Sequence, residues 1–430
     1  MPRAGRAWTV LALGLGAQIS GTVFVSAPAF LIPLLHTERG LTLAEAGLLA
    51  STPTIGMVLT LIAWGALADR IGERWVIAGG LALTAVAAFA AVQAQGYIAL
   101  GLLLFLGGAA SASTNAASGR VVVGWFPKDR RGLAMGIRQM AQPLGVTIAA
   151  LLVPGLAAAD GLGAALALPA VLTAVFAVAC AIGIVNPPRP VAPAPTPPAR
   201  AADAATTPTA ASPGHVPTPG PAPAAATRAA NPYRASGFLW RIHAVSVLLV
   251  VPQFTLSTFG LVWLITELGL DALTAGILVG VAQFVGALGR IGVGVFSDRI
   301  GSRVRPLAWV AIAAAGAMLM LAGFDAVVGG HPAPGWLVVA AVLFVLATTI
   351  TVADNGLAFT SVAEVAGSAW AGRALGAQNT AQFLAASVVG PAVGALIGLV
   401  GFPLAFAAVA LCPAVAVPLI PRAAAEHDRL

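Results

Sequence analysis

Three arginines lie inside long apolar stretches of the sequence, where a charged side chain is costly. Arg290 stands eight residues before Asp298, which is about 12 Å along a helix. Arg120 and Arg138 stand one to two helical turns inside earlier stretches. Such charges face a cavity or a partner, and a guanidinium binds carboxylates and similar anions through paired hydrogen bonds. The pattern predicts an anion site, with structural pairing or extension toward water as the alternative.

One acid, Asp354, lies near the middle of an apolar stretch. It stands ten residues before Glu364, which places it roughly 15 Å deep along a helix. Acids at such positions often take part in proton relays. Asp354 is therefore the candidate proton-coupling group, the alternative being a structural acid paired with an arginine.

Uncharged polar side chains also occur within these stretches, and their spacing places them on helical stripes. The amides are candidates to contact a substrate, the alternative being hydrogen bonds that hold helices together. His243 stands near the start of its stretch, where we expect it at the membrane interface rather than in a proton relay. The candidate amides are Gln18, Asn115, Gln253 and Asn355.

The elements that position these residues must be membrane-spanning helices. Of the 430 residues, 59% are hydrophobic and only 9% are charged, against about 25% charged in soluble domains. This composition excludes an ordinary soluble enzyme and a disordered chain. Continuously apolar segments exclude a membrane β-barrel, whose strands alternate. Twelve segments reach the roughly 20 residues that a spanning helix needs: 8–35, 44–67, 75–94, 97–125, 131–154, 162–185, 237–266, 273–296, 305–323, 335–363, 373–399 and 402–420.

A stretch rich in proline, alanine and threonine divides these segments into two sets of six. Residues 186–234 cannot bury enough apolar surface to fold, so we predict a disordered tether. The predicted domains are an N-terminal six-helix half at 1–185 and a C-terminal six-helix half at 235–430.

The basic residues predict the orientation of the chain. With both termini and the tether in the cytoplasm, Arg39 is the one basic residue in the outer loops, as the positive-inside rule expects. The net charge of +7 is then explained by basic residues on the cytoplasmic side of the membrane, and it does not indicate nucleic-acid binding. Cys180 and Cys412 match no disulfide or metal spacing. We therefore predict a multi-pass protein of the inner membrane, a monomer in the lipid bilayer, with no metal, cofactor or nucleic-acid partner.

The two halves share a repeated sequence. Gly65-Ala-Leu-Ala-Asp-Arg-Ile-Gly-Glu-Arg74 is matched 229 residues later by Gly294-Val-Phe-Ser-Asp-Arg-Ile-Gly-Ser-Arg303. Gly72 and Gly301 are predicted to provide a positive φ for a tight turn. A second repeat, 240 residues apart, matches Asn115 with Asn355 and the run 136–142 with 376–382.

With these repeats the chain resembles the major facilitator superfamily. The resemblance implies twelve transmembrane helices in two pseudo-symmetric halves, with spans one, four, seven and ten lining a central path, and transport by alternating access. It also implies a cytoplasmic gate in which Asp69 meets the eleventh helix near Arg373 and Asp298 meets the fifth near Gly132. The implied gate residues are Asp69, Arg70, Arg74, Asp298, Arg299 and Arg303.

The run from Gly289 to Arg299 is similar to the eighth span of the monocarboxylate, oxalate/formate, nitrate/nitrite and cyanate branches, where an arginine contacts the anion. The expected function is secondary transport of a small organic or inorganic anion, with protons as the candidate coupling ion. The alternative is a proton-coupled exporter of drugs or metabolites, although the family's antiporter pattern is replaced here by Gln142-Pro143-Leu144-Gly145. A membrane enzyme or sensor fits less well, since no catalytic motif or output domain is found.

Overall fold

The computed structural model is helical throughout the part of the chain that it describes. The described residues are 2–126, 134, 137–138, 140–186, 231–330 and 332–422. Most of the predicted tether and the candidate gate contact Gly132 therefore lie outside them. For Asp69 and Arg120 the helix is described but the side chain is not.

The first half contains six spans. Helix α1 covers Pro2–Phe30 and is followed by the short helix Ile32–Thr37; α2 covers Leu43–Ile71, α3 Glu73–Val92 and α4 Tyr97–Trp125. The helix Ala141–Gly183 is broken at Gly161, whose φ of 78° is not helical, into α5 (141–160) and α6 (162–183).

The second half repeats this arrangement after the short helix Pro232–Ala235. Helix α7 covers Phe238–Thr266, α8 Ala272–Ile300 and α9 Val304–Val328. Helix α10 consists of Pro334–Val352 and 354–366, interrupted at Ala353. Breaks at Gly367 and Gly401 separate α11 (368–400) from its neighbours and begin α12 (402–419).

Ten continuous helical segments of the described chain are long and apolar enough to cross a membrane. Two of them, Ala141–Gly183 and Arg373–Leu419, are each divided by a positive-φ glycine into two helices. The turn glycines behave as predicted, with φ of 90° at Gly72 and 66° at Gly301.

Among the described residues, the apolar core that both halves share lies at one end of the bundle. We call the end that carries the loops 69–74 and 298–303 the motif end, and the other the far end. At the far end one apolar core includes residues of both halves, among them Phe24, Leu49, Phe259 and Trp263. At the motif end the described apolar clusters each belong to a single half.

Glycines bring two pairs of helices into backbone contact at the far end. A Cβ atom on Gly47 of α2 would overlap the carbonyl oxygen of Gly390 on α11, and the reverse also holds. A Cβ on Gly276 of α8 would overlap the carbonyl oxygen of Ala150 on α5. Small residues permit such close helix crossings in membranes. These two crossings hold the halves together above the central cavity.

Candidate functional site

A cavity of about 140 Å³ lies between the halves. It is lined by α1, α2, α4 and α5 from the first half and by α7, α8, α10 and α11 from the second. Of the predicted site residues, Gln18, Asn115, Gln253 and Arg290 line it. Arg290 is the one charged side chain among the described lining residues. The cavity therefore has a positive wall on the side of the second half.

A break in helix α10 holds Arg290 at this wall. The helix stops at Val352 and resumes at Asp354, and a carbonyl at a helix end lacks its regular intrahelical partner. The Val352 carbonyl oxygen accepts a hydrogen bond of 3.0 Å from Nε of Arg290. The two terminal nitrogens of Arg290 make no hydrogen bond to any residue in the described part of the chain. The forked end of the guanidinium is thus available to a ligand.

Glycines on α8 make this contact possible. A Cβ on Gly286 would lie 2.9 Å from Cγ2 of Val352, and one on Gly289 would lie 2.8 Å from Cγ2 of Thr349. Larger residues at these positions would push α8 away from α10. The approach of the two helices is what brings Arg290 to the interrupted segment.

Asp354 lies behind the cavity wall rather than on it. The side chain is only 1% exposed, and neither carboxylate oxygen has a hydrogen-bond partner among the described residues. It is close enough to Arg290 for electrostatic interaction, without forming an ion pair. Its position at the start of the resumed helix also places the carboxylate near a positive helix end. The structure thereby brings two of the predicted residues, Asp354 and Arg290, close to each other.

The four predicted amides form two matching pairs. The side-chain nitrogen of Gln18 on α1 donates to Oδ1 of Asn115 on α4 at 3.0 Å. In the second half, the side-chain nitrogen of Asn355 on α10 donates to Oε1 of Gln253 on α7 at 2.8 Å. Asn355 thus lies behind Gln253 and is not among the described lining residues. The pairs tie α1 to α4 and α7 to α10 at equivalent places.

The pair in the second half continues into a network toward the motif end. Nε2 of Gln382 donates to Oδ1 of Asn355 at 3.1 Å and to Oγ of Ser246 at 2.6 Å. Gln378 also donates to Ser246 and is hydrogen-bonded to His243. His243 is therefore enclosed by protein at the start of α7, where it is 9% exposed.

The other two predicted arginines differ from Arg290. Nε of Arg138 donates to Oγ of Ser118 at 2.8 Å, and Nη2 donates to the carbonyl oxygen of Asn115 at 3.5 Å. Arg138 thus joins the segment that precedes α5 to α4 and is not among the described lining residues. The side chain of Arg120 lies outside the described residues.

In the second half, an ion-pair network holds the repeated loop at 298–303. Arg303 is paired with Asp298, and its Nη2 lies 3.1 Å from Oε1 of Glu364 on α10. The hydrogen bond with Glu364 raises the pKa of Arg303 above its ordinary value, with a further contribution from Asp298. Arg303 therefore stays charged over the working pH range. In this conformation Asp298 has its ion-pair partner within its own half.

The corresponding loop of the first half is held through α6. Nε of Arg74 donates to the carbonyl oxygen of Ala181 at 2.8 Å, and its backbone nitrogen donates to Oδ1 of Asn186 at 2.9 Å. Arg70 and Arg299 are exposed. Arg373, the expected contact of Asp69, lies over the ring of Trp370 at 5.0 Å.

Several lining residues were not predicted as site residues. Gln283 on α8 and Gln142 on α5 line the cavity and make no hydrogen bond to a described residue. Gln283 precedes Arg290 by seven residues, two helical turns, so the spacing already placed the two on one face. Gln142 occurs in the second repeat, where it matches Gln382. Both signals were available in the sequence.

Known proteins of one transporter family are similar to this chain in sequence and in fold. The sequence model of the Major Facilitator Superfamily matches residues 13–391. An uncharacterized MFS-type transporter of Mycobacterium tuberculosis (strain H37Rv) is 43% identical over 417 residues, covering 97% of this chain and 85% of the relative.

Two further matches concern the sequence of part of the chain and the fold of nearly all of it. A probable nitrate transporter of Staphylococcus carnosus is 32% identical over 179 residues, which are 41% of this chain and 44% of the relative. The crystal structure of a bacterial homologue of the human lysosomal transporter Spinster, in an inward-facing and occupied conformation, superposes with a TM-score of 0.75 at 14% identity. That superposition covers 99% of this chain and 97% of the other, and at this identity it bears on the fold alone.

Proposed function

Because the chain belongs to the major facilitator superfamily and is a transporter rather than an enzyme, we propose that it carries a small anion across the membrane by alternating access. The substrate site in this proposal is the cavity between the halves, with Arg290 as the principal contact. The amide pairs Gln18–Asn115 and Gln253–Asn355 hold the surrounding helices in register.

The observation that carries the proposal is the free fork of Arg290. Its Nε is occupied by the Val352 carbonyl, while both terminal nitrogens are without a partner in the described structure. A guanidinium held in this way can give two parallel hydrogen bonds to one carboxylate or nitrate-like group. A partly buried cation without an ion pair is unfavourable, so an anion that binds it receives a favourable interaction. The similarity to a probable nitrate transporter supports the same class of substrate.

The size and charge of the cavity favour a small anion over the alternative of a drug exporter. Sites for drug-sized ligands occupy about 300–1,000 Å³, whereas this cavity measures about 140 Å³. An exporter of cationic drugs would also need an acid on the wall. The described lining contains no acid, because Asp354 is enclosed behind it.

The closeness of Asp354 and Arg290 supports coupling to protons. A bound anion and an ionised Asp354 would compete for the positive charge of the same guanidinium. Anion binding therefore favours the protonated acid, and by linkage protonation of Asp354 favours anion binding. Because the anion and the proton each favour binding of the other, both are carried across the membrane together. This coupling is symport.

The orientation of the bundle follows from the basic residues in the proposed topology. With the motif end in the cytoplasm of the inner membrane, the far-end core closes the outer side, so the described conformation faces inward. Asp69 and Asp298 would then act in the cytoplasmic gate. We take the transporting unit to be one chain, with two six-helix halves joined by the tether at 186–234.

A ligand-binding screen of the purified protein tests the proposal. A ligand that binds the folded state raises the melting temperature, so small carboxylates and inorganic anions should stabilise the wild type but not Arg290→Ala. A matched control, Arg305→Ala, removes an exposed arginine outside the cavity and should keep the response. Equal stabilisation of Arg290→Ala by the same ligand, or stabilisation by cationic drugs alone, would favour the exporter.

A further inference from the structure

The cavity around Arg290 has two kinds of free polar group. The first is the single cation, whose terminal nitrogens can only donate hydrogen bonds. The second is a set of amides and hydroxyls that both donate and accept, and that make no side-chain hydrogen bond to a described residue. These groups are Gln142, Ser26, Ser51 and Thr54 on the wall of the first half and Gln283, Ser257 and Thr258 on the wall of the second.

The accepting groups restrict the ligand. The carbonyl oxygens of Gln142 and Gln283 need donors, and water supplies them only while the cavity is wet. An inorganic anion such as nitrate offers acceptors alone, and a plain fatty carboxylate offers an apolar tail. Either would leave the amide oxygens without a partner on closure, which is unfavourable. A ligand with hydroxyl groups supplies those donors and also accepts from the neighbouring hydroxyls.

The placement of Gln283 strengthens this reading of the lining. Gln283 lies two turns from Arg290 on the same helix, about 10.5 Å along the axis. A ligand whose carboxylate is held by Arg290 therefore extends its other end toward Gln283. Polar groups of the facing wall, such as Gln142, lie on the opposite side of the cavity. The ligand is thus surrounded by amphoteric groups beyond its charged end.

The number of positive side chains that line the cavity indicates how many negative charges the ligand carries. Arg290 is the one charged residue among the described lining residues, so a second negative charge on the ligand would be buried without a counter-charge, which is costly. From these observations we infer that the substrate is a hydroxylated monocarboxylate, that is, a sugar acid or a related polyhydroxy acid. This inference rests on the proposed function and narrows it from anions in general to one chemical class.

Matched ligands test the inference on the unmodified protein. Gluconate and hexanoate share chain length and charge but differ in their hydroxyl groups, while glucuronate and glucose share the sugar ring and its hydroxyls but differ in the charged group at C6. We expect gluconate or glucuronate to raise the melting temperature at concentrations at least about tenfold lower than hexanoate or nitrate. A site built to bind hydroxyls discriminates strongly against ligands that lack them. Glucose should give no comparable effect.

Variants separate the contribution of the amides from that of the cation. Gln283→Leu should reduce the preference for gluconate over hexanoate to less than about threefold while keeping the preference for acid over neutral sugar. Arg290→Gln should remove the preference for the acid. Gln93→Leu changes an exposed glutamine at the end of α3 and should leave both preferences as in the wild type.

Each contrary result has a defined meaning. Hexanoate or nitrate binding as tightly as gluconate to the wild type would overturn the hydroxy-acid inference and leave the anion proposal standing. Glucose binding to the wild type as tightly as glucuronate would overturn the anion proposal itself. Stabilisation by none of these ligands would overturn the hydroxy-acid inference, whereas the anion proposal is decided by the wider screen of carboxylates and inorganic anions. The wild-type comparison decides these cases even if a variant does not fold.

Discussion

Arg290 on α8 donates from Nε to the carbonyl oxygen of Val352, at the residue where helix α10 is interrupted. The side chain is therefore held by a backbone carbonyl and not by an ion pair, which leaves its two terminal nitrogens available to the cavity. A lysine could not reproduce this arrangement, because its single ammonium would have to serve both Val352 and the ligand.

The first prediction is that Arg290→Lys loses anion binding although the positive charge is kept. One charge-assisted hydrogen bond contributes about 1.5–3 kcal/mol, so the affinity should fall by roughly 10- to 100-fold. The measurement is the ligand dependence of the melting temperature or a direct binding assay. Arg305→Lys, at an exposed site, is the control. Undiminished affinity in Arg290→Lys would show that the fork geometry is not used.

Asp354→Asn should abolish proton-driven accumulation while sparing exchange of substrate for substrate. The acid is fully enclosed next to Arg290, and an amide at this position can neither release a proton nor compete with the anion. Proteoliposomes with an imposed pH gradient measure the first activity, and counterflow measures the second. Asp160→Asn, an exposed change at the α5–α6 turn, should behave as wild type. Accumulation by Asp354→Asn under a pH gradient alone would place coupling elsewhere, with His243 and Glu267 as the next candidates.

Gly390→Val should prevent the far end from closing. A side chain there would overlap the backbone of Gly47 and the hydroxyl of Ser51, and overpacking of this kind costs about 1–3 kcal/mol. A cysteine at Ala46, buried at the far end, should then react faster with a membrane-impermeant thiol reagent, in a background lacking Cys180 and Cys412.

Gly398→Val on the same helix is the matched control for this experiment, because no atom lies within 4 Å of the added Cβ position. Its labelling rate should remain that of the parent. Equal rates for Gly390→Val and the parent would mean that the α2–α11 crossing does not form the outer closure.

Asp69→Asn should shift the population further toward the inward-facing state and slow turnover. In the proposed gate Asp69 stabilises the conformation in which the motif end is closed, so removing its charge destabilises that state only. The affinity of the inward-facing state for ligand should change little. Cysteine accessibility from each side measures the shift, and unchanged accessibility would argue against a gate at this loop.

The tether should be dispensable for transport chemistry. Replacing residues 195–225 with a Gly/Ser linker of equal length keeps the length of the connection between the halves. It removes the proline-rich sequence, which cannot form a hydrophobic core. Transport and expression should both remain near wild type. Deleting almost the whole tether should instead impair assembly of the halves. Loss of transport at normal expression in the Gly/Ser variant would assign a function to the tether sequence itself.

Much of the architecture could be read from the sequence, because the signals involved are local. The length of an apolar segment decides whether it spans a membrane, and the repeated loops at Asp69 and Asp298 mark equivalent places in two halves. The positive φ expected at Gly72 and Gly301 also follows from residue type alone. Of the amides that helical spacing placed on polar stripes, Gln18, Asn115 and Gln253 line the cavity between the halves.

Spacing and depth alone do not distinguish Arg290 from Arg138, since both are arginines at similar depth in apolar segments; only the resemblance of the run from Gly289 to Arg299 favoured Arg290. Their difference comes from their neighbours: Ser118 is within reach of Arg138, whereas the terminal nitrogens of Arg290 meet only the cavity among the described residues. Nor did the sequence indicate the break at Ala353, because neither a proline nor a glycine occupies that position. The proximity of Arg290 to Asp354, 64 residues apart in sequence, depends on how closely α8 approaches α10. That distance is set by packing at Gly286 and Gly289, and packing between helices is decided only by the tertiary structure.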